Sequence, residues 1–214
     1  MKQMTTYNRA AGYLNKLFDL LNADFFDGQL ERPVITIQST PRAYGHYTLF
    51  DAWDVKGKGS KEINIGAGTL ARPIENVIAT LLHEMCHQYN DTVLHVQDCS
   101  RGGTYHNRFF RETALSHGLQ VSRSEKYGWS TTVPSNRLLD WVLANGLTDI
   151  QLNRNEFCTV VPDGKISGRG VPVPPSRGSS YRRYVCPSCG LIVRATKTAN
   201  VLCGDCMQHM AEAG

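Results

Sequence analysis

The sequence predicts an α+β chain: helices and a small mixed sheet over residues 1–158, a linker over 159–180, and a small cysteine-bearing module over 181–214. Three observations predict it. Apolar residues recur at helical spacing in several segments, with short β-branched runs between them. Glycine and proline crowd residues 159–180, where core-forming residues are few. Beyond that stretch lie two CxxC pairs, Cys186/Cys189 and Cys203/Cys206.

Thr6 is the expected cap of a first helix over 7–22, with Leu14, Leu17, Phe18 and Leu21 on its core face. Phe25 and Phe26 extend that face, and Asp27-Gly28 turns the chain. VITIQ (34–38), 45–50 and 62–65 read as strands, and the Gly/Lys-rich 56–61 as an exposed loop. A helix buried in the domain centre is expected from residue 72 or 73 to 90. Pro73 stands at its first position, and Ile74, Val77, Ile78, Leu81, Leu82 and Met85 form a broad apolar face. Residues 91–104 read as a polar connection. A third helix is expected from near His106 to Gly118, and a fourth from a Ser135 cap to Gly146.

The 214 residues are 41% hydrophobic and 20% charged, which excludes disorder as a description of the whole chain. No apolar run approaches the roughly 18 residues of a membrane span. The polar start MKQMTTYNRA lacks a leader's apolar stretch, so secretion is not expected. The odd cysteine count of seven points to a reducing compartment, the cytoplasm, with association with the nucleoid compatible. The formal net charge is +4, and all of the excess falls after residue 153, which suggests a polyanionic partner for that part. Four thiolates and a bound divalent ion would take about two charges from that half. An ion in the first half would add two there, so a nucleic-acid role rests on local clusters more than on bulk charge.

Residues 83–87 read HEMCH. On a helix, His83 and His87 lie one turn apart on one face, so both imidazoles can reach one metal. Glu84, one position on, can reach a water beside that metal. Two histidines, an open position and a carboxylate base are the parts of a zinc hydrolase. Cys86 is rotated about 100° from His87 and reads as a buried core thiol. A catalytic zinc takes a third protein ligand. Asn90 and Val93 stand where one common pattern has Gly and His, which leaves His106, Glu112 and His95 as candidates, with His117 further off.

HEMCHQYN, then a polar loop, then GGTYHNRFFRETA, resembles the SprT-like zinc metalloproteases. His106 and Phe110 match that family's third histidine and the aromatic residue four positions later. Asn107 departs from the glycine usual after that histidine. The resemblance implies an α+β zincin-type metalloprotease domain followed by a zinc ribbon. It implies a catalytic zinc on His83, His87 and His106, with Glu84 as general base. Ile63 and Ile65 would sit on an edge strand that receives substrate, or on a plain core strand.

The two CxxC pairs, 13 residues apart, form a closed four-thiolate site for a second, structural zinc. Gly190 and Gly204 are the expected tight-turn residues of its knuckles. Around it, Tyr181, Arg182, Arg183, Tyr184, Arg194 and Lys197 interleave cations with aromatics, which suits phosphate contact and base stacking. By resemblance the substrates are proteins on or crosslinked to DNA, with the ribbon holding the enzyme to DNA, single-stranded DNA included. A monomer without membrane contact is expected. Two alternatives remain at this point: a nucleic-acid-binding adaptor with a non-catalytic, metal-stabilised domain, and a general metalloprotease indifferent to DNA.

Overall fold

Helix α1 (Tyr7–Phe25) buries Leu14, Leu17, Phe18 and Leu21, as its spacing predicts, and runs three residues further than expected. Thr6 stands at its N-cap in extended conformation but makes no side-chain cap bond. The helix ends as Asp27 and Gly28 enter the left-handed region and the Gly28 N–H bonds the Asn22 carbonyl. The structure is a computed structural model that describes residues 4–40, 43–154, 182–195 and 197–213. The predicted linker 159–180, Cys158 and Tyr181 lie outside the described residues. Two units form, one carrying the described residues up to 154 and the other those from 182 on, and each is described by itself.

In the first unit, β1 (Val34–Gln38), β2 (Gly45–Tyr47) and β5 (Glu62–Gly66) form a mixed sheet of order β1-β5-β2. β1 runs parallel and β2 antiparallel to β5. β5 is therefore central and wholly buried, so Ile63 and Ile65 are core residues and the edge-strand expectation for them is corrected. The edge belongs to β1 and β2, and β2 is three residues shorter than the sequence suggested.

The expected loop over 56–61 is instead half of a hairpin, β3 (Trp53–Val55) with β4 (Lys58–Ser60). Lys56 and Gly57 both take positive φ, as a tight two-residue hairpin turn requires, and the Asp54 carboxylate accepts the Gly57 N–H. Lysine at such a position is uncommon, which hid the turn.

Helix α2 (Ile74–Thr92) crosses the centre and is buried on most sides. Pro73 is its N-cap, one place before the position expected. The Ile74 N–H, orphaned at the helix start, is taken by Asp149 at 2.8 Å. A second sheet follows, with β6 (Cys99–Ser100), β7 (Tyr105–His106), β8 (Leu119–Ser124) and β9 (Gly128–Pro134) in the order β6-β7-β9-β8. Helices α3 (Arg108–Ser116) and α4 (Asn136–Ala144) complete the unit. Ser135 caps α4 as predicted, accepting the Leu138 N–H. One core joins α1, the first sheet, α2, α3 and α4. Among the described residues, no helix is long and apolar enough to cross a membrane.

The second unit has a three-stranded sheet, β11 (Ile192–Ala195), β10 (Arg182–Val185) and β14 (Ala211–Ala213), and a short hairpin, β12 (Leu202–Cys203) with β13 (Gln208–His209). Its core is Tyr184, Cys186, Cys203 and Met210.

Candidate functional site

On α2, helical spacing brings His83 and His87 to one face. His106 reaches them from a strand and not from a helix start. β7 pairs with β6 at Cys99↔His106 and with β9 at His106↔Gly128, and the His106 N–H bonds the Tyr127 carbonyl. A Cβ at Gly128 would fall 2.1 Å from the His106 carbonyl oxygen, so only glycine lets β9 approach this closely.

The three Nε2 atoms stand 3.1–3.2 Å from one another. Imidazole nitrogens bound tetrahedrally to one zinc would be about 3.3–3.4 Å apart. These contacts are not hydrogen bonds among the rings. His87 Nδ1 faces the Asp98 carboxylate at 2.7 Å, and a carboxylate accepts, so the ring proton sits on Nδ1. His83 Nδ1 stands 3.0 Å from Thr132 Oγ1, a hydroxyl that accepts its proton when Nε2 carries the lone pair. Nε2 lone pairs thus face one point, and a cation suits them.

Burial, together with His87 and His106, holds the His83 imidazole well below its ordinary value. Burial and then His87 bring His106 down to about 4. Burial also works against charge on His87, but the Asp98 carboxylate outweighs it and raises this one of the three. The Phe110 ring forms the floor, its centroid 4.5–4.6 Å from all three imidazoles. Glu112 and His95 are exposed, and neither joins the cluster.

Glu84 is buried beside this cluster, and burial pushes its carboxyl up to about 7. The Tyr47 backbone N–H, on edge strand β2, bonds it. Gly45 makes that approach possible, since a Cβ there would lie 3.0 Å from Glu84 Oε1 and 2.8 Å from the Asn64 carbonyl oxygen. Cys86 is buried, and burial drives its thiol well above the usual range, as a core cysteine should be.

Sequence reasoning missed the residues behind the imidazoles. The Asp98 carboxylate accepts from His87 and from Asn90 Nδ2 at 2.8 Å, and Asn90 Oδ1 accepts from Thr113 on α3 at 2.6 Å. Burial opposes the charge on Asp98, yet His87 and Asn90 hold it below the ordinary carboxylate value. Asn107, the departure after the third histidine, caps α3 by accepting the Phe109 N–H. It also donates from Nδ2 to the Gln97 carbonyl and from its backbone N–H to the Asp98 carbonyl. The segment that carries Asp98 is thereby tied to the strand that carries His106.

In the second unit the four sulfurs of Cys186, Cys189, Cys203 and Cys206 all lie within 4.8 Å of one another. Each knuckle closes with a backbone bond, Gly190 N–H to the Cys186 carbonyl and Met207 N–H to the Cys203 carbonyl. Gly190 and Met207 both take positive φ, so Met207, and not Gly204, is the turn residue of the second knuckle. The Cys189 backbone N–H draws the Cys186 thiol down to about 7, while its bond with Cys189 pushes Cys206 up to about 12. Four sulfurs at this spacing suit one divalent cation, whose binding would release their protons.

The expected nucleic-acid cluster of the ribbon is only partly at the surface. Tyr184 is 3% exposed, a core residue and not a stacking platform, and its hydroxyl accepts the Ala199 N–H. Arg182 is paired with Glu212 at 2.9 Å. Arg183 and Lys197 are exposed, and Arg194, half-buried, stands opposite Arg183 across β10 and β11.

No curated protein and no solved structure matches the chain. The family model of the SprT-like family matches residues 14–130, which is more than half of the chain and takes in both α2 histidines, Glu84, Asp98 and His106. The chain belongs to the SprT-like family.

Proposed function

We propose that the chain is a zinc-dependent endopeptidase of the zincin type, with Glu84 as its general base. The observation that carries it is the convergence of three Nε2 atoms beside a buried carboxylate one residue from the first of them. His83, His87 and His106 would hold the zinc, and Cys186, Cys189, Cys203 and Cys206 a second, structural ion. A zinc held by three imidazoles supplies a Lewis acid that makes water acidic near neutrality and polarises a carbonyl.

The remaining work falls to the chain. Asp98 and Thr132 hold the imidazoles of His87 and His83 in the tautomer that turns Nε2 forward. Glu84, poised near neutrality by burial, takes a proton from the attacking water and hands it to the departing amine. The Tyr47 N–H fixes which way that carboxylate faces. Strand β2 is an edge beside Glu84, so an extended peptide can add to it by backbone pairing, which transfers to β2 the substrate role expected of 62–65.

By family resemblance the substrates are proteins bound or crosslinked to DNA, with the ribbon as tether. Its exposed Arg183 and Lys197 are compatible with phosphate contact. The test is to incubate the zinc-loaded chain and its Glu84→Gln variant with a DNA-binding protein, with and without single-stranded DNA. Cleavage by the wild type only, and only with DNA, supports the full reading. Cleavage indifferent to DNA leaves a general peptidase, and cleavage by the variant at the wild-type rate removes Glu84 as the base.

A further inference from the structure

Five cation–π contacts fall within residues 101–129: Arg101 on Tyr105, Arg108 on Phe109, Arg111 and Arg123 on Trp129, and Lys126 on Tyr127. Two more occur among the other described residues, Arg72 on Tyr44 and Arg137 on Phe25, so the contacts concentrate in this stretch. All five cations are exposed, and among the described residues none of them forms an ion pair. The same stretch has two exposed carboxylates, Glu112 and Glu125, so cations predominate.

The fold gathers these residues around one joint. Tyr105 lies on β7, which pairs with β9 at Gly128, and a Cβ at Gly128 would meet the Tyr105 ring at 3.0 Å. Tyr127 and Trp129 flank Gly128, and Tyr127 is 43% exposed. The Trp129 indole has two guanidiniums near it, one from α3 at 4.7 Å and one from β8 at 5.9 Å, opposite the extra residue that bulges β9.

We infer that this joint of β7, β9 and α3 is a second binding surface, for single-stranded nucleic acid, on the metal-centre unit itself. Exposed cations without carboxylate partners meet phosphates, and bases stack on indole, phenol or guanidinium planes. Folded protein partners offer no regular alternation of negative charge and flat rings, which is what this surface alternates in reverse. The strand that carries Trp129 also carries Thr132 against His83, so the polymer would lie along the strand that supports the metal-facing imidazoles. The inference rests on the proposed peptidase reading only for its biological role.

The test is anisotropy of labelled oligodeoxythymidylate and oligouridylate, about 16 nucleotides long, with the zinc-loaded full chain. Arg111→Gln/Arg123→Gln is expected to weaken binding about tenfold and to lower the slope of log affinity against log salt by about 1.4, at about 0.7 per lost contact. Trp129→Ala is expected to weaken it about 5- to 100-fold with the slope unchanged. The arginine pair, lying on the surface, keeps the test sound if loss of the indole disturbs the hairpin. Dependence of either oligonucleotide on these residues supports the inference, and the tighter one names the polymer. The inference is overturned if neither oligonucleotide binds, if both variants bind like the wild type, or if polyglutamate competes as well as the oligonucleotide does. The readout is binding, so a chain that binds through these residues but cleaves nothing removes the peptidase reading and leaves this one standing.

Discussion

At the His83–His87–His106 cluster three nitrogens converge from a helix and a strand, with a buried carboxylate beside them. At the Cys186–Cys189–Cys203–Cys206 cluster four sulfurs close on one another, the full number that a tetrahedral structural ion takes. The two also differ in what stands behind them. The first rests on a core running from Ala10 to Ile150 that forms without any metal ligand. The second has a core of four residues, two of which, Cys186 and Cys203, belong to the candidate metal cluster itself. An open site can be tuned for chemistry because its fold is supported elsewhere. A closed site of this kind supplies the fold.

The largest effect should come from removing metal. Structural zinc sites contribute about 10–16 kcal/mol of apparent binding energy, far more than two buried side chains, Tyr184 and Met210, can offer. A strong chelator is expected to strip residues 182–213 of amide-exchange protection while α1 and α2 keep theirs. Retained protection in β10 and β11 after chelation would break the comparison.

Next in size is the chemistry. Glu84→Gln should lower kcat by about 10²- to 10⁴-fold with metal content unchanged. Cys203→Ser, which opens the ribbon, should leave cleavage of a short, DNA-free peptide within a few-fold of the wild type. Equal losses from the two variants would mean that the two sites are not separable.

How far each cluster was legible in the sequence follows from how local it is. His83, Glu84 and His87 sit within five residues of one helix, and each CxxC pair within four, so period and spacing suffice. His106 was identifiable as a histidine, but its element was misread, because the strand that carries it exists only through pairing with β6 and β9. Asp98 stood in what looked like a polar connection, and Thr132 in a stretch assigned to no element. Nothing within a few residues of either marks it as the partner of an imidazole 11 or 49 positions away. Tyr184 was misread for the converse reason, since alternation with arginines looks the same whether the ring faces solvent or the ribbon's small core.

The outer partners of the imidazoles sharpen the comparison further, because they are side chains open to substitution, whereas the Cys186 and Cys189 sulfurs have backbone N–H groups as partners. Asp98→Asn keeps the shape but removes the charge, and one amide oxygen must then serve both His87 and Asn90. Zinc affinity of the histidine site is expected to fall about 10- to 100-fold in competition with a chromogenic chelator. The ribbon's zinc should be retained at the same chelator concentration.

Thr132→Val should have the smallest effect. It removes the oxygen that accepts from His83 Nδ1 and leaves the volume nearly unchanged. A neutral hydroxyl contributes roughly half of what a charged acceptor does, about 0.5–1.5 kcal/mol, so zinc affinity should drop about 2- to 10-fold. The direction of the ranking matters more than the size. His87 has a carboxylate behind it and His83 a hydroxyl, while the His106 ring lies against the Thr104 and Tyr127 backbone carbonyls and is positioned by its backbone pairings. If outer-layer hydrogen bonds set the affinity of the open site, Asp98→Asn must weaken it more than Thr132→Val. An equal or reversed order would show that the three imidazoles are held by the packing of Phe110 and the β7–β9 joint, and that the open site is, like the closed one, a product of its backbone.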